Sequence, residues 1–195
     1  LFINDQHRAD HLGCYGNDIV QTPNIDGLAA RGTRFTKFHV ACPICMPNRS
    51  TLMTGRMPSL HGARQNGIPL ALDATTFPDL LRAAGYRTAL IGKCHLQNIS
   101  ARPITMGLPQ YDGSRDLPPE ALRDARKDRW ADGRYDQELP TTWTGEQGFE
   151  PALPFYGFDH LSLAIGHGDA VSGHYSRWLA ARHDDPDSLR GANNA

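Results

Sequence analysis

Thr76-Phe77-Pro78-Asp79-Leu80-Leu81-Arg82-Ala83-Ala84-Gly85 runs directly into Tyr86-Arg87-Thr88-Ala89-Leu90-Ile91 and then into Gly92-Lys93-Cys94-His95. Thr76 followed three residues later by Asp79, with Pro78 in the first turn, is a helix start, and Leu80, Leu81 and Ala84 share one face before Gly85 stops it. Arg87 to Ile91 then reads as a strand. A helix feeding a short apolar strand is the repeating unit of a mostly parallel sheet covered by helices, and such sheets place ligands at the carboxyl ends of their strands. The residues after each strand therefore matter most, and here they are Lys93, Cys94 and His95.

The same unit extends towards the amino terminus. Leu1 to Asn4 reads as a strand, Thr22-Pro23-Asn24-Ile25-Asp26 as a helix start with Gly32 as its stop, and Arg34 to Val40 as a second strand. A further helix is expected from Met46 to Thr54. The chain opens as a strand already under way, without an initiator methionine, which suggests that its lead-in is missing. From about Asn98 to Pro154, prolines recur among glycines and charges, and only Pro119 to Trp130 reads as helical. This is expected to be an irregular excursion forming the rim of a site and not core. Phe158 to Ala164 returns as a strand, Ala170 to Arg182 as a helix, and Asp184 to Ala195 has no periodicity. The expected organisation is the amino-terminal part of one domain: 1–97 core strands and helices, 98–154 excursion, 155–195 return to core and a truncated end.

With 39% hydrophobic and 21% charged residues in 195, the chain has the balance of a globular protein. Its formal net charge of -1 excludes a global field that would recruit nucleic acid or an anionic membrane, so any anion specificity is local. No apolar run reaches membrane-spanning length. A soluble protein of cytoplasm or periplasm is expected. Four cysteines are too sparse for a disulfide scaffold.

Three strand ends give three reactive clusters. Asp5 follows the first and is a hard oxygen donor suited to calcium or magnesium, with Asn4 and Gln6 beside it; its alternative role is to cap the next turn. Cys42-Pro43-Ile44-Cys45-Met46-Pro47-Asn48-Arg49 follows the second. Cys45 lies just before the expected helix, whose free backbone N–H groups favour an anion at its start, and Arg49 lies four residues on, facing the same side. Lys93 and His95, two apart in an extended segment, are expected to point the same way, towards a tetrahedral oxyanion; the alternative is a solvated loop. His167, in Gly166-His167-Gly168-Asp169, is weighed as a further catalytic residue, but is expected to be structural or part of a substrate rim.

Cys45-Met46-Pro47-Asn48-Arg49 fits C-x-P-x-R, and Leu52-Met53-Thr54-Gly55-Arg56 continues it. Together with Asn4-Asp5-Gln6, Thr22-Pro23-Asn24-Ile25-Asp26-Gly27-Leu28 and Gly92-Lys93-Cys94-His95-Leu96, this ordered set resembles the sulfatase family over about residues 1–97. Asp5-Gln6-His7-Arg8-Ala9-Asp10 is similar to the branch that holds arylsulfatases and phosphonate monoester hydrolases. The resemblance implies an alkaline-phosphatase-like α/β fold, with helices on both faces of the sheet, and hydrolysis of sulfate esters. It implies that a separate formylglycine-generating enzyme oxidises Cys45 to formylglycine, whose hydrate attacks sulfur or phosphorus beside one divalent metal. Calcium is the first choice of metal, with magnesium or manganese as alternatives. By matched position, Asp5 and the Cys45 site ligate the metal, with Asn4 as a further donor. Arg49 stabilises the formylglycine, and Lys93 and His95 bind the sulfate oxygens and the diol.

The departures are Asn4, where many sulfatases have a first aspartate, and Cys94, where they have tryptophan. The family's later metal ligands and leaving-group acid are expected beyond residue 195, so the fragment alone is expected to be inactive. Within the enzyme class, the alternative is phosphonate monoester or phosphodiester hydrolysis. Outside it, Cys42 and Cys45 form a C-x-x-C pair that reads as a redox site, or as half a zinc site completed by Cys94 and His95. A binding-only relative is a third reading. A Cys42–Cys45 disulfide that blocks maturation is a corollary.

Overall fold

Leu161, Leu163 and Ile165 are buried and alternate with more exposed neighbours, the period-two pattern of a strand with one face on a core. This strand is the centre of the sheet in the computed structural model, which describes residues 1–100 and 131–190. The contacts divide the chain into two compact units, residues 1–40 and 41–195.

In the first unit, two turns of 3-10 helix, Ala9–His11 and Gly13–Tyr15, precede α1, Pro23–Arg31. The expected helix start holds: Pro23 opens α1, and Asp26 in its first turn anchors the preceding loop. One Asp26 oxygen accepts the Cys14 N–H at 2.7 Å and the Thr22 hydroxyl at 3.0 Å, while Thr22 Oγ1 accepts the Gly13 N–H at 2.8 Å. A Cβ on Gly13 would lie 2.5 Å from the Asp26 carboxylate, so only glycine permits this approach. The strands expected at Leu1 to Asn4 and Arg34 to Val40 do not form. Both segments are exposed, with Phe2, Phe35 and Phe38 on the surface, and neither finds a ladder partner among the described residues. Apolar content marks a strand only where a neighbour exists to pair with it.

The second unit contains α2, Cys45–Thr54; α3, Pro58–His61; α4, Phe77–Ala83; β1, Ala89–Gly92; α5, Pro140–Gly145; β2, His160–Ile165; β3, Ser172–Gly173; and α6, His174–Ala180. β1 pairs parallel with β2 from Ala89↔His160 to Gly92↔Leu163, and β2 pairs antiparallel with β3 at Ala164↔Gly173 and Ile165↔Ser172. The sheet is mixed and three-stranded, in the order β1-β2-β3. Its parallel half is the helix-then-strand unit expected from Thr76 to Ile91. The helix expected from Ala170 starts at His174, because Val171 to Gly173 turn back to pair with β2 through left-handed glycines at 166, 168 and 173.

The core joins Leu70, Leu96, Leu163, Ile165 and Phe155 to Trp143 and Phe149. The last two lie inside the stretch expected to be an excursion and not core. Its described part is anchored: the Trp143 indole N–H donates to the Gln137 carbonyl at 2.8 Å, and Gln137 and Glu138 are buried. Proline and glycine density marks irregular backbone, and irregular backbone can still be packed. The helix expected at Pro119 to Trp130 lies outside the described residues.

Candidate active site

Cys45 is the first residue of α2, after Ile44 in extended conformation, and Gly55 in the left-handed region ends the helix. Its half-buried thiol meets Asn66: the Asn66 amide nitrogen lies 3.3 Å from Sγ, and Oδ1, 3.4 Å from Sγ, accepts the Met46 N–H at 3.1 Å. Asn66 therefore presents both a donor and an acceptor at the sulfur position, so an oxygen there would find a partner in either protonation state. Nothing in the sequence singled out Asn66, which stands in a loop 21 residues downstream.

Arg49, one turn along α2, donates from Nη1 to the Lys93 carbonyl at 2.8 Å. This bond joins the cysteine cluster to the strand-end cluster. Lys93 Nζ lies 3.1 Å and 3.4 Å from the two ring nitrogens of His167, which brings the turn after β2 to the same place. His95 is buried at 2% exposure and has φ 56°. The segment is thus not extended at His95, unlike the backbone expected there. A left-handed non-glycine residue costs about 1–3 kcal/mol and persists only where its surroundings hold it.

Glu138 supplies the hold. Its fully buried carboxylate accepts the N–H groups of three consecutive residues: His95 on Oε2, and Leu96 and Gln97 on Oε1 at 2.9 Å each. Burial pushes the Glu138 carboxyl up to about 7, against the three N–H groups and the Arg49 guanidinium, which pull it down. Gln97 locks the far side, accepting the Gln137 N–H at 2.9 Å and donating to the Arg134 carbonyl at 3.1 Å. Cys94 belongs to the core, and burial pushes its thiol well above the ordinary range, with Glu138 adding to the rise. That environment opposes the thiolate which a zinc site would need. Cys42 and Cys45 are both free thiols.

Asn4 and Asp5 belong to the 1–40 unit. Asp5 precedes Gln6, which has φ 59°, and the Asn4 amide nitrogen donates to His7 Nδ1 at 3.1 Å. Nearby, a shallow depression is lined by Gln6, His7, Arg8, His11, Val20 and Thr22. Calcium takes six to eight oxygen ligands. The side chains of Asn4 and Asp5 fall short of that number, and no group of three or more His, Cys, Asp or Glu gathers among the described residues. The donor set for a metal is thus incomplete in the described chain. No described helix is long and apolar enough to cross a membrane.

Comparison with known proteins places this geometry in a class. The sulfatase family model matches residues 1–158, and the chain belongs to the sulfatase family. Its fold is the alkaline-phosphatase-like α/β fold: the phosphonate monoester hydrolase of Agrobacterium radiobacter superposes with a TM-score of 0.55 over 95% of this chain and 28% of that one, at 24% identity. Among curated relatives, the chain is 38% identical over 96 residues to the N-acetylglucosamine-6-O-sulfatase of Bacteroides thetaiotaomicron, covering 49% of this chain and 17% of that protein. It is 41% identical over 121 residues to human arylsulfatase A, covering 58% of this chain and 23% of that protein. The chain thus spans about a fifth of the length of these relatives.

Proposed function

We propose that the protein carrying this chain hydrolyses sulfate esters of small molecules, with Cys45, after oxidation to formylglycine, as the nucleophile. The observation that carries this reading is the joining of Cys45, Arg49, Lys93 and His167 through α2 and the end of β1. Cys45 sits at a helix N-terminus, where backbone N–H groups favour an anion. Asn66 meets the atom at the sulfur position and orients it. Lys93 and His95 receive the sulfate oxygens, and Arg49, bonded to the Lys93 carbonyl, keeps the cation loop in register with the nucleophile. Formylglycine supplies an aldehyde whose hydrate carries the attacking hydroxyl. Asp5 and Asn4 are this chain's contribution to a divalent-metal site, for which calcium fits a hard-oxygen set, and the remaining donors come from outside the described residues. The relatives' printed activities, on sulfated sugars and aryl or steryl sulfates, support sulfate over other anions.

The test is co-expression with a formylglycine-generating enzyme, followed by trypsin and mass measurement of the peptide Phe38 to Arg49. The expected peptide has Cys42 intact and CHO in place of CH2SH at Cys45. Two unmodified thiols in that peptide, in a protein that nonetheless cleaves aryl sulfates, would overturn the nucleophile assignment. Parallel assay of an aryl phosphonate monoester decides between the two ester classes.

A further inference from the structure

We propose that Glu138 is a positioning residue for the anion-binding loop, holding Lys93 and His95 in the geometry that receives the tetrahedral anion. The inference rests on the hydrolase reading above and extends it to a residue outside every motif.

Glu138 is 1% exposed, and its partners go beyond those of an ordinary core ion. A structural carboxylate in a core pairs with a cation or a side-chain donor. This one, besides the Arg49 guanidinium and the Cys94 thiol that face it, takes three successive backbone N–H groups, a concave array of the kind that normally cradles a bound anion. The array exists because His95 adopts φ 56°, which turns its own N–H and the two that follow towards one point. The left-handed residue and the buried carboxylate therefore depend on each other. Without the carboxylate, three buried donors lose their acceptor and the strain at His95 loses the bonds that offset it.

The other groups facing Glu138 are Arg49 and Cys94. Arg49 also bonds to the Lys93 carbonyl, so the carboxylate and the guanidinium bracket the Lys93–Gln97 segment. Gln137, the preceding residue, donates its N–H to the Gln97 side chain, and its carbonyl accepts the Trp143 indole N–H, which fixes the position from which Glu138 reaches the loop. A side chain 43 residues away thus sets the backbone of the residue assigned to the sulfate oxygens.

The experiment uses the intact protein with Glu138→Gln and Glu138→Asp, and Leu179→Ala in α6 as a core variant away from the loop. Gln keeps the size but turns an amide donor towards a backbone donor; Asp keeps the charge and shortens the reach. The measurements are kcat and KM on an aryl sulfate, affinity for inorganic sulfate, amide hydrogen exchange at residues 95–97, and the urea unfolding midpoint. E138Q is expected to lower kcat about 10- to 100-fold, as misplacement by about 1 Å does. It is expected to weaken inorganic sulfate binding about tenfold and speed exchange at 95–97, with partial recovery in E138D. Leu179→Ala is expected to lower the unfolding midpoint with kcat within about twofold of wild type. If E138Q loses stability but keeps kcat, sulfate affinity and slow exchange, the proposal is overturned. If the wild-type protein hydrolyses no ester, the hydrolase reading fails separately, and sulfate affinity with exchange still decides the role of Glu138.

Discussion

At the residue scale, two buried titratable groups pull stability in opposite directions with pH. Burial and its neighbours leave Glu138 with a value of about 7 against an ordinary 4.5. Between those values the folded state keeps a proton that the unfolded chain has released. The stability Glu138 contributes is therefore complete below 4.5 and is lost as pH rises through 7, by on the order of 3 kcal/mol. His61 behaves oppositely. Its Nδ1 accepts the Ala63 N–H at 3.2 Å and its Nε2 lies 3.0 Å from Thr51 Oγ1, so the ring is held neutral, and burial lowers it from 6.5 to about 4. Its contribution is present above 6.5 and lost as pH falls towards 4. The two slopes offset one another between pH 4.5 and 6.5 in the wild-type protein. In E138Q only the His61 slope remains, so the unfolding midpoint in urea is expected to rise from pH 5 to 7. A midpoint that stays flat or falls over that range would place the offsetting group elsewhere.

At the element scale, α4 shows why some of the chain was readable in advance. Asp79 accepts the Thr76 N–H at 3.0 Å and lies 2.8 Å from the Thr76 hydroxyl, which also reaches the Tyr156 carbonyl at 2.9 Å. The start signal is local, so four residues were enough to find it. Thr76→Ala removes the hydroxyl from a buried site and is expected to cost about 1–2 kcal/mol, with Thr76→Ser recovering most of it in urea unfolding. An unchanged midpoint in the alanine variant would show that Asp79 holds the helix start alone. The helix α1 was legible for the same reason, through Pro23 and Gly32, and α2 was expected from Met46 to Thr54, one residue later than its observed start at Cys45. The strands expected at Leu1 to Asn4 and Arg34 to Val40 were not legible, because a strand is defined by a partner and short apolar runs do not say whether one exists. The candidate site divides similarly. Cys45, Arg49, Lys93 and His95 belong to contiguous motifs that identify the family from the residues themselves. Glu138 and Asn66 acquire their significance only from backbone or side chains 20 to 43 positions away, and in sequence they are a charge among prolines and an amide in a loop.

At the scale of the whole molecule, two sets of proposed ligands each belong to their own unit. Asp5 and Asn4 lie in 1–40, and the cluster joined by Arg49 and Lys93 lies in 41–195. If metal ligation belongs to the first and anion binding to the second, single substitutions should separate the two. Asp5→Ala in the intact protein is expected to lower calcium affinity by at least roughly 100-fold, the upper end of what losing an outer partner costs a metal site. Lys93→Ala removes one charged donor, worth about 1.5–3 kcal/mol, and is expected to weaken inorganic sulfate binding roughly 10- to 100-fold with calcium affinity little changed. Calorimetric titration of each variant with calcium, and then with sulfate in excess calcium, reads both quantities from one preparation. Loss of calcium affinity in Asp5→Ala, restored by Asp5→Glu, assigns the carboxylate as a ligand. Loss of sulfate affinity alone in Asp5→Ala assigns it instead to the anion, and the metal site must then be sought in residues other than Asn4 and Asp5. Equal loss of both in Lys93→Ala would mean that calcium and sulfate share one set of contacts and would overturn the separate assignment of Asp5 and Lys93.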